Sequence, residues 1–195
     1  VYLLGGTAAT ENPDGEKVLN RNYNFTPNGE ELTHYDKMHL FSVDLSRHES
    51  KTVIDEGIVY QCGHEPKILD INNWRVGLGI CFDLRFPELY RHYFEQGANL
   101  LTVASAFTVP TGKAHWEVLV RARAIENQSY VIAVNQWGVH NEKIKTYGHS
   151  LIVDPWGVVL ADIGEKEGYA VCEIKLSEVE KVRGRLTVKP KIKSI

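Results

Sequence analysis

The sequence predicts an α/β fold in which buried strands alternate with helices. Residues 74–80, 99–104 and 130–135 are short, largely apolar runs, the pattern of strands that are buried on both faces. The intervening segments, 87–97 and 112–127, have apolar residues at helical spacing. This alternation favours a parallel sheet with right-handed crossover connections.

The residues before this alternation predict antiparallel strands. Residues 21–25 and 31–37 flank the turn Thr26-Pro27-Asn28-Gly29, which indicates a β-hairpin. Residues 1–6 resemble a hydrophobic strand without a polar lead-in, so we expect a further segment to precede them. Residues 38–60 show mixed polarity and little periodicity, which predicts a long loop of functional character.

The C-terminal third predicts a β-meander followed by a short helix. Strands are predicted over residues 148–153, 158–161 and 168–174, and the helix over residues 176–183. The mixture of parallel and antiparallel strands favours two stacked sheets over one wound sheet. Because no composition shift or linker divides the chain, we predict a single domain over residues 1–195.

Composition argues against several classes of protein. The 195 residues are 43% hydrophobic and 24% charged with a net charge of −3, so no basic face is indicated and we expect no nucleic-acid partner. The apolar runs are too short to cross a membrane and no signal peptide is evident, so we expect a cytoplasmic protein. Cys62, Cys81 and Cys172 have neither disulfide-framework nor zinc spacing, and we expect no metal or cofactor.

Cys81 is the strongest candidate for a chemical role. It directly follows the predicted strand 74–80, and Pro87 suits the first turn of the next helix. A side chain at the carboxyl end of a buried strand faces the crevice where α/β folds bind ligands. A thiolate there would be a nucleophile, although a buried cysteine that packs as a small hydrophobe is the commoner alternative for such a stretch.

Four blocks of sequence resemble the nitrilase superfamily of carbon-nitrogen hydrolases. They are Tyr35-Asp36-Lys37-Met38-His39-Leu40 and residues 79–88, 115–128 and 148–157. They occur in family order over nearly the whole chain, and the nearest branch looks like the amidases related to omega-amidase and deaminated glutathione amidase. The resemblance implies a four-layer α-β-β-α sandwich of the nitrilase type, here without its N-terminal segment.

The resemblance also implies an amidase mechanism with a Glu-Lys-Cys triad. Cys81 matches the nucleophile, and Lys37 matches the lysine that stabilises the tetrahedral intermediate beside the backbone N–H of Phe82. Glu49 corresponds to a second glutamate near the site. The family's general-base glutamate lies upstream of Val1, and no residue of this sequence matches it.

Further residues are predicted to bind substrate, namely Phe82, Arg85, Phe107 and His115. The Arg85 guanidinium suits a substrate carboxylate, but a structural ion pair with Glu88 or another nearby carboxylate is the interpretation that the residues favour. His115 either lines the substrate pocket or lies in a contact between subunits. The aromatic content of residues 107–116 would suit a subunit contact, and analogy with the family suggests a homodimer or higher homo-oligomer.

These observations together predict a cofactor-free hydrolase. It would release ammonia from a small linear amide through a thioester on Cys81. One alternative is a non-catalytic scaffold or binding protein that keeps the fold but lacks the base. A second alternative is a nitrilase that acts on a nitrile with the same nucleophile.

Overall fold

The computed structural model describes residues 1–44, 53–141 and 144–188. They belong to two compact units, which divide between Lys67 and Ile68. The first unit contains strands β1 (Leu3–Thr10), β2 (Val18–Phe25), β3 (Glu31–Asp36), β4 (Ser42–Asp44), β5 (Val53–Asp55) and β6 (Tyr60–Gln61), with a 3₁₀ helix at Glu56–Ile58.

The first unit is built on antiparallel pairing. Strands β1, β2 and β3 lie side by side in that order, β6 pairs with β2 in parallel, and β4 pairs with β5. The predicted hairpin is confirmed, with Arg21 opposite Asp36 and joined to it by hydrogen bonds of 2.6 and 2.9 Å. Residues 38–60 are not one long loop, because β4, β5, the 3₁₀ helix and β6 lie there; elements of two or three residues are too short to show periodicity.

The second unit contains the predicted alternation of strands and helices. Its strands are β7 (Ile68–Ile71), β8 (Trp74–Ile80), β9 (Leu100–Ser105), β10 (Tyr130–Asn135), β11 (Trp137–Val139), β12 (Lys145–Tyr147), β13 (Leu151–Val153) and β14 (Val159–Asp162). Its helices are α1 (Pro87–Glu95), α2 (Val109–Asn127) and α3 (Leu176–Arg185).

One mixed sheet forms the centre of this second unit. Its strand order is β14-β13-β10-β9-β8-β7, with β8, β9 and β10 parallel and the outer strands antiparallel. Ile80 is paired with Ala104, and Ser105 with Asn135. The carboxyl ends of the three parallel strands therefore meet at one edge of the sheet.

Two glycines in β8 allow helix α1 to approach the sheet closely. A Cβ atom at Gly77 would lie 2.6 Å from the Tyr93 ring, and one at Gly79 would overlap the Tyr90 hydroxyl. Both tyrosines are fully buried, and the Tyr93 hydroxyl donates to the carbonyl of Leu78 at 2.7 Å. The two glycines thus provide the space in which both tyrosine side chains pack.

Helix α2 packs against β10, β12 and β13 and also contacts the turn that follows β8. Its buried Arg123 donates from Nε to the carbonyl of Leu84 at 3.0 Å and forms an ion pair with Glu126 at 2.6 Å. Since Leu84 belongs to the segment directly after Cys81, this arginine holds that segment against the helix.

The C-terminal third differs from the prediction in one strand. Residues 168–174 lie in the described part of the chain and form no strand, and Tyr169 and Val171 are 88% and 89% exposed. Their alternating pattern resembles a strand, but no neighbouring strand pairs with them. The pairing of β11 with β12 was not predicted. Among the described helices, none has the length and apolar character needed to span a membrane.

Candidate active site

Cys81 lies at the point where β8 gives way to a 3₁₀ helix, Cys81–Arg85. Its φ angle is +46°, in the left-handed region that non-glycine residues seldom occupy. The buried carboxylate of Asp83 closes the turn by accepting the N–H of Ile80 at 2.9 Å. Strained backbone held by surrounding structure is typical of functional positions, which supports the prediction that Cys81 is reactive.

Arg85, at the end of the same 3₁₀ helix, contacts the other predicted substrate-binding residues. Both of its terminal nitrogens lie 3.3 Å from Nδ1 of His115. The guanidinium carbon lies 5.2 Å from the ring centre of Phe107 and 5.7 Å from that of Phe82. The structure therefore brings Phe82, Arg85, Phe107 and His115 together at the carboxyl edge of the sheet.

The ion pair predicted between Arg85 and Glu88 is wrong. Within the described ranges Arg85 pairs with no carboxylate. Phe86 has extended backbone between the 3₁₀ helix and α1, and Glu88 is exposed in the first turn of α1. Burial lowers the pKa of Arg85, and the nearby charge of Cys81 opposes that shift. The guanidinium is thus a half-buried cation beside the cysteine.

Phe107 and Trp116 do not form the subunit contact suggested for residues 107–116. Both are buried, with ring centres 4.8 Å apart, and the Trp116 indole donates to the carbonyl of His149 at 2.6 Å. Both aromatic side chains therefore face the interior of the second unit. Of the two, Phe107 has its ring next to the guanidinium of Arg85.

Lys37 lies at the end of β3 in the first unit. Its side chain is 1% exposed, and its ammonium donates to the carboxylate of Glu56. Its backbone is held by hydrogen bonds to Asn20 at 2.9 Å and from Gly63 at 2.8 Å. A fully solvated strand-end lysine is therefore ruled out, whereas the predicted oxyanion role stays a prediction. Glu49 lies outside the described residues.

The side chains that could bind metal are dispersed. In residues 1–44, 53–141 and 144–188, no three His, Cys, Asp or Glu side chains are grouped so as to hold a metal ion. Cys62, Cys81 and Cys172 form no disulfide with one another.

Comparison with known sequences identifies the family. The Carbon-nitrogen hydrolase model matches residues 1–184. The chain belongs to this family. It is 44% identical over 185 residues to deaminated glutathione amidase of Synechocystis sp., covering 94% of this chain and 67% of the relative. It is 37% identical to human omega-amidase NIT2, covering 96% of this chain and 66% of the relative.

Solved structures of other carbon-nitrogen hydrolases have the same fold. The NitFhit protein of Caenorhabditis elegans matches 95% of this chain, which spans 45% of that protein, with a TM-score of 0.88 and 41% identity. Saccharomyces cerevisiae Nit3, a member of branch 10 of the nitrilase superfamily, matches 96% of this chain, which spans 64% of that protein, with a TM-score of 0.84 and 32% identity. The predicted family and the α/β fold of the nitrilase type are confirmed.

Two acidic residues of this carbon-nitrogen hydrolase, Asp83 and Glu56, have structural roles that the sequence did not predict. Asp83 was not singled out, although a carboxylate two residues after a candidate nucleophile is a signal for a turn-closing side chain. Glu56 also accepts the N–H of Phe41 at 2.7 Å, so one carboxylate joins Lys37 to the next segment. No local pattern marks Glu56, because its partner lies 19 residues earlier.

Proposed function

We propose that this carbon-nitrogen hydrolase is an amidase that cleaves a small linear amide through a thioester on Cys81. The observation that supports this most directly is the left-handed backbone of Cys81 at the carboxyl end of β8. Such a bend exposes a nucleophile at the edge of a sheet. Relatives named deaminated glutathione amidase and omega-amidase indicate an amide as the substrate class.

The reaction follows from the chemistry of a thiolate. The Cys81 sulfur attacks the amide carbonyl, a C–S bond forms, and the oxygen becomes an oxyanion. We assign its stabilisation to the backbone N–H of Phe82 and, on the family resemblance alone, to the Lys37 ammonium, and one such donor contributes about 3 to 4 kcal/mol. The oxyanion then collapses to a carbonyl, the C–N bond breaks, and the amide nitrogen takes up a proton and leaves as ammonia. Water cleaves the thioester, which yields a carboxylic acid and restores the thiol.

Proton transfer in both halves of this reaction requires a general base. General acid–base catalysis typically contributes about 10² to 10⁴-fold to the rate. The resemblance matches this role to no residue of 1–195, so we assign it to none of the acidic residues described here. Glu56 is engaged with Lys37 and acts through the lysine.

The substrate that we propose has a carboxylate at the end remote from its amide. Arg85 supports this assignment, since its guanidinium pairs with no described carboxylate and lies over the rings of Phe82 and Phe107. A guanidinium presents parallel N–H groups that match the two oxygens of a carboxylate. An anionic substrate would supply the carboxylate that the described residues do not provide.

Mass spectrometry of the purified protein tests the proposal. Mixing with monoamides of dicarboxylic acids should release ammonia and leave a transient acyl adduct on Cys81. Cys81→Ala should abolish both, whereas the matched variant Cys62→Ala should keep both. Full turnover by Cys81→Ala would refute the mechanism, and turnover of nitriles but not amides would assign the protein as a nitrilase.

We also infer that the protein is a homodimer. Helix α2 presents Val118 and Ile125, which are seven residues apart and 69% and 45% exposed, and Trp156 is 58% exposed. Apolar side chains on one helix face are typical of subunit contacts. Val118→Asp should reduce the mass measured by light scattering to that of a monomer, whereas Lys113→Asp on the same helix should not. A monomeric wild-type protein would refute the inference.

We further propose that the protein is cytoplasmic. The use of cysteine supports this, because the three cysteines of the chain form no disulfide with one another. Cell fractionation with an antibody against the protein would test it, and recovery from a secreted fraction would contradict it.

A further inference from the structure

Asn135, the last residue of β10, connects two segments at the carboxyl edge of the sheet. It is 4% exposed. Its side-chain oxygen accepts the backbone N–H of Phe107 at 2.9 Å, and its side-chain nitrogen donates to the carbonyl of Gly148 at 2.6 Å. Its backbone exchanges hydrogen bonds of 3.0 and 3.2 Å with the hydroxyl of Ser150. Its donors and acceptors are thereby engaged at defined positions.

These contacts complete a closed ring of five residues. Phe107 packs on Trp116 at 4.8 Å between ring centres, and the Trp116 indole donates to the carbonyl of His149 at 2.6 Å. His149 follows Gly148, whose carbonyl accepts the hydrogen bond from Asn135. The backbone of both Gly148 and His149 has positive φ, +77° and +57°, so this corner needs external support to keep its shape.

Phe107, one member of this ring, also contacts Arg85, the candidate substrate-binding cation. The Arg85 guanidinium lies 5.2 Å from the centre of the Phe107 ring. Its remaining contacts are to the half-exposed neighbours His115 and Phe82. Phe107 is the buried part of this support, and its backbone N–H is bound by the carboxamide of Asn135.

We propose that Asn135 is a positioning residue, which holds the Phe107 segment so that the Arg85 guanidinium stays aimed at an anionic group bound beside Cys81. This inference rests on the proposed function, because it concerns the affinity of the same site for a carboxylate. Asn135 does not itself touch the substrate. It acts by preventing the Phe107 segment and the Gly148 corner from separating.

Alkylation of Cys81 measures this role without any need for amide turnover. Iodoacetate and iodoacetamide both transfer a two-carbon group to the thiolate and release iodide, but only iodoacetate has a carboxylate. We follow both reactions at Cys81 by mass spectrometry and divide the iodoacetate rate by the iodoacetamide rate. This ratio therefore measures the electrostatic attraction of Arg85 for an anion. Arg85→Gln should lower this ratio about threefold or more, the effect of losing one unit charge a few ångströms away.

Asn135→Leu keeps the branched shape of the side chain but loses both hydrogen bonds, and we expect it to lower the ratio toward that of Arg85→Gln. The matched control is Asn127→Leu, because Asn127 is equally buried but its side chain donates to the carbonyl of Arg123 at 2.9 Å inside α2. That variant should lose stability without changing the ratio. If Asn135→Leu does not fold, Asn135→Ser is measured against the same expectations.

The outcomes separate this inference from the proposed function. An unchanged ratio in the Asn135 variant, or an equal fall in the Asn127 control, would overturn the positioning role. An unchanged ratio in Arg85→Gln would overturn both the carboxylate assignment and the positioning role, while leaving a Cys81 amidase possible. The expected falls in the ratio for Arg85→Gln and Asn135→Leu, together with no hydrolysis of any amide, would refute the amidase and leave the positioning role supported.

Discussion

Replacing Arg85 by glutamine tests most directly how the site selects its substrate. The guanidinium is half-buried between Phe107 and Phe82, and within the described residues it pairs with no carboxylate. A substrate carboxylate bound there would make charge-assisted hydrogen bonds. Glutamine keeps hydrogen-bonding ability and part of the packing but removes the charge.

The size of the effect follows from the strength of such bonds. A hydrogen bond to a charged group contributes about 1.5 to 3 kcal/mol, which corresponds to about 10- to 100-fold in affinity. We therefore expect kcat/KM for an amide with a remote carboxylate to fall by about that factor, mainly through KM. Because no intramolecular ion pair is lost, the stability change should stay near 1 kcal/mol, the value of the contacts with the rings.

Ammonia release from a dicarboxylic acid monoamide and from the corresponding neutral diamide provides the assay. Arg85→Gln should lower kcat/KM for the monoamide but not for the diamide. Arg121→Gln, which removes a half-exposed arginine paired with Glu117 at 3.3 Å on α2, should lower neither. Equal losses for the two amides would show that Arg85 supports the fold of the site rather than binding an anion. No loss for either would show that the carboxylate binds elsewhere.

Three other predictions concern Tyr90, Gly79 and Glu56. Burial raises the pKa of Tyr90 well above the ordinary 10.0. Above about pH 10 the unfolded chain therefore releases this proton while the folded protein keeps it, so stability falls as pH rises, by up to about 1.4 kcal/mol per pH unit. Tyr90→Phe should remove that component in urea unfolding at pH 8 and pH 11, and an unchanged slope would contradict this. Gly79→Ala should cost about 1 to 3 kcal/mol, because its Cβ would overlap the Tyr90 hydroxyl, and less in a Tyr90→Phe background; full additivity in the double-mutant cycle would count against the packing argument. Glu56→Gln should cost about 3 kcal/mol in thermal unfolding, because it leaves the buried ammonium of Lys37 without its carboxylate, while Glu65→Gln at an exposed pair should change little; equal effects would refute this reading.

Much of the second unit could be predicted because most residues of its central strands are buried. Residues 74–80 and 130–135 form β8 and β10 at the predicted bounds, since strands that are largely covered on both faces are largely apolar. Residues 168–174 show why a pattern alone is insufficient. Their apolar residues alternate as in a strand, but a strand requires a partner, and none pairs with them among the described residues.

The sequence by itself determined that a cysteine ends a buried strand, that helix and strand alternate around it, and that the chain is a carbon-nitrogen hydrolase. These properties depend on neighbours in sequence, through periodicity and contiguous motifs. Only the tertiary structure decided that Arg85 meets His115, 30 residues away, rather than Glu88, and that the ammonium of Lys37 meets Glu56. Which charges share a buried space depends on how distant segments pack, and hydrophobic periodicity contains no information about that pairing.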